Sequence, residues 1–134
     1  YKLLFKKSPN IAVLGLNPHN SENRSNSFEN KIIKPSVLKL KKKGLNIFGP
    51  FPSDTIFMRD NRKKFDVIVG MYHDQVLAPF KALYDFDAIN ITLGLKYIRT
   101  SPDHGTAPNI IGKNKANYSS LMNSINFINT INYD

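Results

Sequence analysis

Residues 66–81 read DVIVGMYHDQVLAPFK, and the reading of this stretch decides the fold. Val67-Ile68-Val69 is a short β-branched run of the kind that fills a buried strand. Gly70 ends it, and a run with apolar residues at helical spacing follows across 74–84. A strand feeding a helix is the unit of an α/β layered fold, so His73 and Asp74 fall where the strand hands over to the helix. In parallel sheets, ligands bind beyond the carboxyl ends of the strands. His73 and Asp74 are thereby candidate ligand residues.

The same pattern repeats outward from there. IAVLGL (11–16) is a continuous apolar run between Pro9-Asn10 and Asn17-Pro18, predicting a buried strand. Upstream, YKLLFKKSPN opens without Met and reads as a helix end running into a loop, so the chain is expected to be the C-terminal part of something longer. After the polar loop NSENRSNS, residues 28–43 place apolar side chains at 28, 32, 33, 37, 38 and 40. This predicts a helix with Ser27 as N-cap and Gly44 as stop, kinked or divided at Pro35. LNIFGPF (45–51) predicts a second strand and AINITLGL (88–95) another. TSPDHGTAP (100–108) predicts a loop, and 117–131 a closing amphipathic helix. The fold class is α/β, a layered arrangement with a largely parallel sheet, in a single domain over residues 1–134.

Composition bounds the function. The 134 residues hold 41% hydrophobic and 22% charged side chains, ordinary for a globular domain, and no apolar run is long enough to cross a bilayer. The chain has no cysteine, which excludes disulfides and thiolate metal sites and fits a reducing cytoplasm. The net charge of +9 raises the question of nucleic acid or another anionic partner. Yet its densest cluster, Lys39 and Lys41 to Lys43, ends the predicted helix, where cations complement the dipole from a solvated face. Aromatic residues do not interleave with the basic ones as a base-stacking platform requires. Neither a nucleic acid nor a membrane is the expected partner.

All three histidines sit at predicted strand ends or in loops: His19, His73 and His104. Asp54 follows the strand that ends at Phe51. Imidazoles and carboxylates from separate strands could hold a divalent ion, although a lone histidine at a strand end is more often a capping residue. Lys81, two helical turns beyond His73, could project a cation toward a phosphate or be solvated, and Arg99 could clamp a phosphate or carboxylate. DHGTAP offers a Gly-centred loop for close approach of a nucleotide. There is no G-x-G-x-x-G and no Walker loop.

Five motifs in order, LGLNPH, GPFPSDT, MYHDQ, NITLGL and IRTSPDHGTA, resemble the 4-hydroxythreonine-4-phosphate dehydrogenases of pyridoxine biosynthesis. The resemblance runs from Ile11 to about Asn129 and corresponds to the C-terminal part of that family. It implies a fold like the isocitrate and isopropylmalate dehydrogenases. It also implies NAD-dependent, or NADP-dependent, oxidation and decarboxylation of 4-phosphohydroxy-L-threonine to 3-amino-2-oxopropyl phosphate in the cytoplasm. A relative acting on phosphorylated sugar acids such as threonate or erythronate phosphate is the alternative, and a basic binding module without catalysis a further one.

The resemblance implies that His19 and His73 are two of three histidine ligands of a divalent metal. Zinc is the expected ion, with magnesium or cobalt as other choices. The third histidine lies upstream in the family, and the site is shared between the subunits of a homodimer, so this chain by itself is expected to be inactive. Asp54 and Asp74 match carboxylates next to the metal. Lys81, Asn90 and Arg99 match substrate contacts, and Asp54, Asp74 and Lys81 are the candidates to move the proton. HGTAPNIIGK (104–113) resembles a loop along the adenosine half of the cofactor, giving His104, Gly105, Thr106 and Ala107, with Asn117 as an adenine contact. The family's Gly-rich AGEGG-type loop after NPH is replaced here by NSENRSNS.

Overall fold

The structure, a computed structural model, describes residues 1–131. Two compact units divide the chain, Tyr1–Pro79 and Phe80–Asp134. The first opens with a short helix α1 (Lys2–Phe5) and strand β1 (Ile11–Leu14). A π-helical turn (Glu29–Ile33) leads into α2 (Lys34–Lys42), then β2 (Ile47–Phe51), α3 (Arg59–Arg62) and β3 (Val67–Val69). Helix α4 (His73–Tyr84) follows, and the division falls within it, after Pro79.

β1 is the middle strand of a three-stranded parallel sheet of order β2-β1-β3. A middle strand is covered on both faces, which is why IAVL is apolar without interruption. Alternation then sends its side chains to two different cores. Val13 meets Ile33, Val37 and Ile47 on the α2 side. Ala12 and Leu14 meet Ile56 on the other, with Phe51, Phe65, Ile68 and Val76 around them. Leu14 and Ala12 are fully buried, and truncating Leu14 to Ala should cost roughly 2–5 kcal/mol.

The helix after the first strand is not broken at its proline: it stays right-handed through Ile33 and Lys34 and only changes from a π-helical turn to α-helix there. Pro35 lies in the first turn of α2, and the wider π-helical turn of Glu29–Ile33 comes directly before it. Ser27 Oγ accepts the Asn30 backbone N–H at 3.3 Å, the expected capping contact. Gly44, at φ +88, ends the helix in the left-handed conformation that suits glycine. At the base of the sheet the Asp66 carboxylate accepts from Lys7 Nζ at 2.7 Å and from the Asn10 N–H at 2.9 Å. The lysine, then the Asn10 amide, hold that carboxyl below its usual range.

The second unit contains β4 (Ile89–Thr92), β5 (Arg99–Pro102) and α5 (Ser119–Thr130). β4 and β5 form an antiparallel pair of their own, apart from the parallel sheet. This corrects the expectation of a loop from residue 100: Thr100, Ser101 and Pro102 belong to β5. The ladder satisfies their backbone, and Pro102, as the last residue of the strand, is where a ladder tolerates a missing donor. Buried Ser120 fastens α5 to the pair: it donates to the Ala88 carbonyl at 2.5 Å and accepts the Asp103 N–H at 2.8 Å.

Candidate active site

The parallel sheet delivers four of the expected residues to its carboxyl edge. The segment after β1 carries His19, the turn after β2 carries Asp54, and the turn after β3 leads to His73 and Asp74 at the start of α4. Gln75 ties two of these exits together. Its Nε2 donates to the Gly15 carbonyl at 2.8 Å, while its Oε1 accepts the Met71 N–H at 2.7 Å. The start of α4 is thereby fixed to the end of β1. Gln75 stood in the quoted motif without a role, and the structure supplies one.

His19 Nε2 lies 3.7 Å from Asp54 Oδ2, with the side chains 67% and 44% exposed. An imidazole and a carboxylate at this separation, open to solvent, are donors of the kind that zinc and related ions take. The pair is incomplete as a ligand set. Among the described residues no three His, Asp or Glu side chains gather closely enough to hold an ion, so His73 and Asp74 are not drawn into one cluster with His19 and Asp54. Asp74 also sits in the first turn of α4, where a carboxylate complements the helix dipole.

The loop that presents His19 is unusual in its backbone. Asn20, Ser21 and Glu22 all have positive φ, at 55°, 49° and 50°, and none is glycine. The His19 N–H donates to Asn17 Oδ1 at 2.9 Å, and Asn20 Nδ2 donates to the Pro50 carbonyl at 3.1 Å. Beneath the loop lies Glu29, 2% exposed. Its Oε1 accepts the Asn17 N–H at 2.8 Å and its Oε2 the Ser21 hydroxyl at 2.7 Å. Burial is the largest influence on this carboxyl and opposes its ionisation. Hydrogen bonds from the Ser21 hydroxyl, the Asn17 and Glu29 amides and Ser27 outweigh burial and bring the pKa to about 2. The sequence reading passed over Glu29. Its signal was a lone acidic residue at the entrance to an otherwise basic helix.

The second unit holds the other expected residues. Lys81 Nζ donates to the Asp103 carbonyl at 2.9 Å and lies 3.7 Å from its carboxylate. Arg99 Nη1 donates to Thr92 Oγ1 at 2.8 Å, directly across the β4–β5 pair. Asn90 is two residues from Thr92 on the same strand, so alternation puts it on the face that Arg99 shares. Next to Asp103, the chain bends around a cavity of about 910 Å³. His104, Gly105, Thr106, Ala107 and Asn117 line it together with Lys81, which gathers the expected cofactor residues around one space. Ala107 adopts φ 41 just before Pro108, turning the loop back along the cavity wall.

Comparison with known proteins bears on this arrangement directly. The profile of the family described as "Pyridoxal phosphate biosynthetic protein PdxA" matches residues 2–128. The chain belongs to the PdxA family. A 4-hydroxythreonine-4-phosphate dehydrogenase of Xanthobacter autotrophicus is 50% identical over 115 residues, 85% of this chain and 33% of the relative. A D-threonate 4-phosphate dehydrogenase of Pectobacterium atrosepticum is 47% identical over 118 residues, 87% of this chain and 36% of the relative. The chain thus spans about a third of the length of these curated relatives. Among solved structures, the 4-hydroxythreonine-4-phosphate dehydrogenase of Klebsiella pneumoniae superposes with a TM-score of 0.79 at 40% identity. That match covers 98% of this chain and 41% of the other. The α/β architecture with its parallel sheet is therefore that of PdxA structures over part of their length.

Proposed function

We propose that the chain carries part of the working surface of an NAD-linked, divalent-metal-dependent dehydrogenase acting on 4-phosphohydroxy-L-threonine in the cytoplasm. The observation that carries this reading is the cavity walled by His104 to Ala107 and Asn117, in a chain 50% identical to a dehydrogenase named for that substrate. His19 and His73 would hold the ion, with Asp54 and Asp74 beside it. When bound, the divalent ion supplies polarisation of the substrate hydroxyl, and the nicotinamide cofactor, NAD or NADP, supplies the hydride acceptor.

The chain's own residues then have distinct tasks. Arg99 and Asn90 share one face of the β4–β5 pair, and a planar guanidinium beside an amide suits an anionic substrate group. Lys81 adds an ammonium already held in place by the Asp103 carbonyl. The alcohol loses its proton to the Asp54 or Asp74 carboxylate, or to Lys81 in its neutral amine form, while its carbon-bound hydrogen leaves as hydride. The resulting 3-oxo acid releases carbon dioxide, the electron pair stays on the adjacent carbon, and protonation there gives 3-amino-2-oxopropyl phosphate. Exposed Leu121, Met122, Ile125 and Ile128 share one face of α5, which supports a homodimer as the working state.

The D-threonate 4-phosphate relative favours a second substrate, since a hydroxyl replaces the amine next to the same reacting carbon. A chimera in which this chain replaces the matching third of the Xanthobacter autotrophicus relative tests the choice. NADH formation with 4-phosphohydroxy-L-threonine at ten or more times the kcat/KM for D-threonate 4-phosphate is expected. The reverse ratio would assign the sugar acid.

A further inference from the structure

The loop carrying His19 pays a conformational cost that something must offset. Three successive left-handed residues without glycine cost of the order of 1–2 kcal/mol each, and such backbone persists only where its surroundings over-determine it. Glu29 supplies the restraint. Its two carboxylate oxygens take one hydrogen bond from Asn17 and one from Ser21, two residues before and two residues after His19. A buried carboxylate is retained only when it is hydrogen-bonded, and both oxygens of this one are. Gly15 leaves the room it needs: a Cβ there would lie 3.1 Å from Glu29 Cγ and 2.6 Å from Asn20 Oδ1. A second tether, Asn20 to the Pro50 carbonyl, ties the loop to the strand that leads to Asp54.

We propose that Glu29 is a positioning residue for the metal-ligand histidine: it grips both ends of the Asn17–Ser21 loop and so holds the His19 imidazole toward Asp54. The inference rests on the reading of His19 as a metal ligand. Glu29 does not touch the ion; it acts through the backbone that presents one of the ligands, as outer-shell partners do.

The test uses the Xanthobacter autotrophicus chimera, which supplies the upstream part of the site and carries this chain as wild type, Glu29→Gln or His19→Ala. Zn²⁺ alone is the probe, and this chain's three histidines are the reporters. The imidazole signals of the three histidines are followed by NMR through the titration, and exchange of the Asn17 amide is measured in parallel. Glutamine keeps the shape of the side chain but offers one acceptor in place of two. In Glu29→Gln the Asn17 amide should exchange at least about tenfold faster, and the Zn²⁺ response of the His19 signal should weaken by about 10–100-fold. His19→Ala should lose the Zn²⁺ response while keeping the Asn17 amide protected.

Wild-type Zn²⁺ affinity at His19 in Glu29→Gln, with binding lost in His19→Ala, overturns the inference and leaves the metal reading standing. A wild-type His19 signal that Zn²⁺ never moves overturns both. Should Glu29→Gln fail to fold, Ser21→Ala removes only one of the two contacts and must show the same weakening in smaller measure. Unchanged Zn²⁺ affinity there also overturns the inference.

Discussion

Glu29 shows how far one side chain can organise a site without belonging to it. Its folded pKa of about 2 lies below the ordinary 4.5, so its contribution to stability is complete above pH 4.5. As the pH falls from there toward 2, the unfolded chain takes up the proton first and the contribution is lost. Urea unfolding between pH 6 and pH 2.5 should therefore show the wild type losing its advantage over Glu29→Gln in that window. A gap that stays constant across the window would contradict the hydrogen-bonded carboxylate described here. None of this was legible in the sequence. Glu29 is near Asn17 and Ser21 only because the chain turns back after β1, and no spacing rule connects them.

At the scale of elements, the strands and helices with clean periodicity were legible, and the irregular ones were not. The IAVL strand and the helix that follows it, with its irregularity next to Pro35, follow from local chemistry alone, and both are present. β5 was not legible, because Thr100-Ser101-Pro102 carries loop residues and becomes a strand only through its partner β4. The left-handed run at residues 20–22 was equally hidden, since nothing in NSEN demands positive φ. It makes a definite expectation: Glu22→Gly should stabilise the chain by about 1 kcal/mol in chemical denaturation, because glycine accepts φ 50 without strain and the exposed pair with Arg24 contributes little. Destabilisation by that change would show that the loop is not strained. In the second unit, Ser120→Ala removes one hydroxyl that serves both the Ala88 carbonyl and the Asp103 N–H. It should cost roughly 1–3 kcal/mol and raise amide exchange at Asp103. Neither effect is expected if the hydroxyl is a bystander.

At the scale of the molecule, spacing along the chain put the candidate residues at strand ends and in loops without assembling them. His19 and Asp54 come together at the sheet edge, and the 104–107 loop closes around a cavity with Asn117. His73 and Asp74 stand at the same edge without completing a ligand cluster. That outcome follows from ligand geometry. Three donors must converge within about 2 Å of one point to bind an ion, and residue spacing along a chain carries no information about convergence. No helix among the described residues is long and apolar enough to cross a membrane.

The central claim is that this chain's histidines serve a metal-dependent dehydrogenase, and the most direct measurement is NADH absorbance in the Xanthobacter autotrophicus chimera supplied with 4-phosphohydroxy-L-threonine. NADH formation that a chelator abolishes and Zn²⁺ restores is the predicted result, with a loss of at least about a hundredfold in both His19→Ala and His73→Ala. A folded chimera that forms NADH equally well with the chelator present, or with both histidines replaced, would contradict the account.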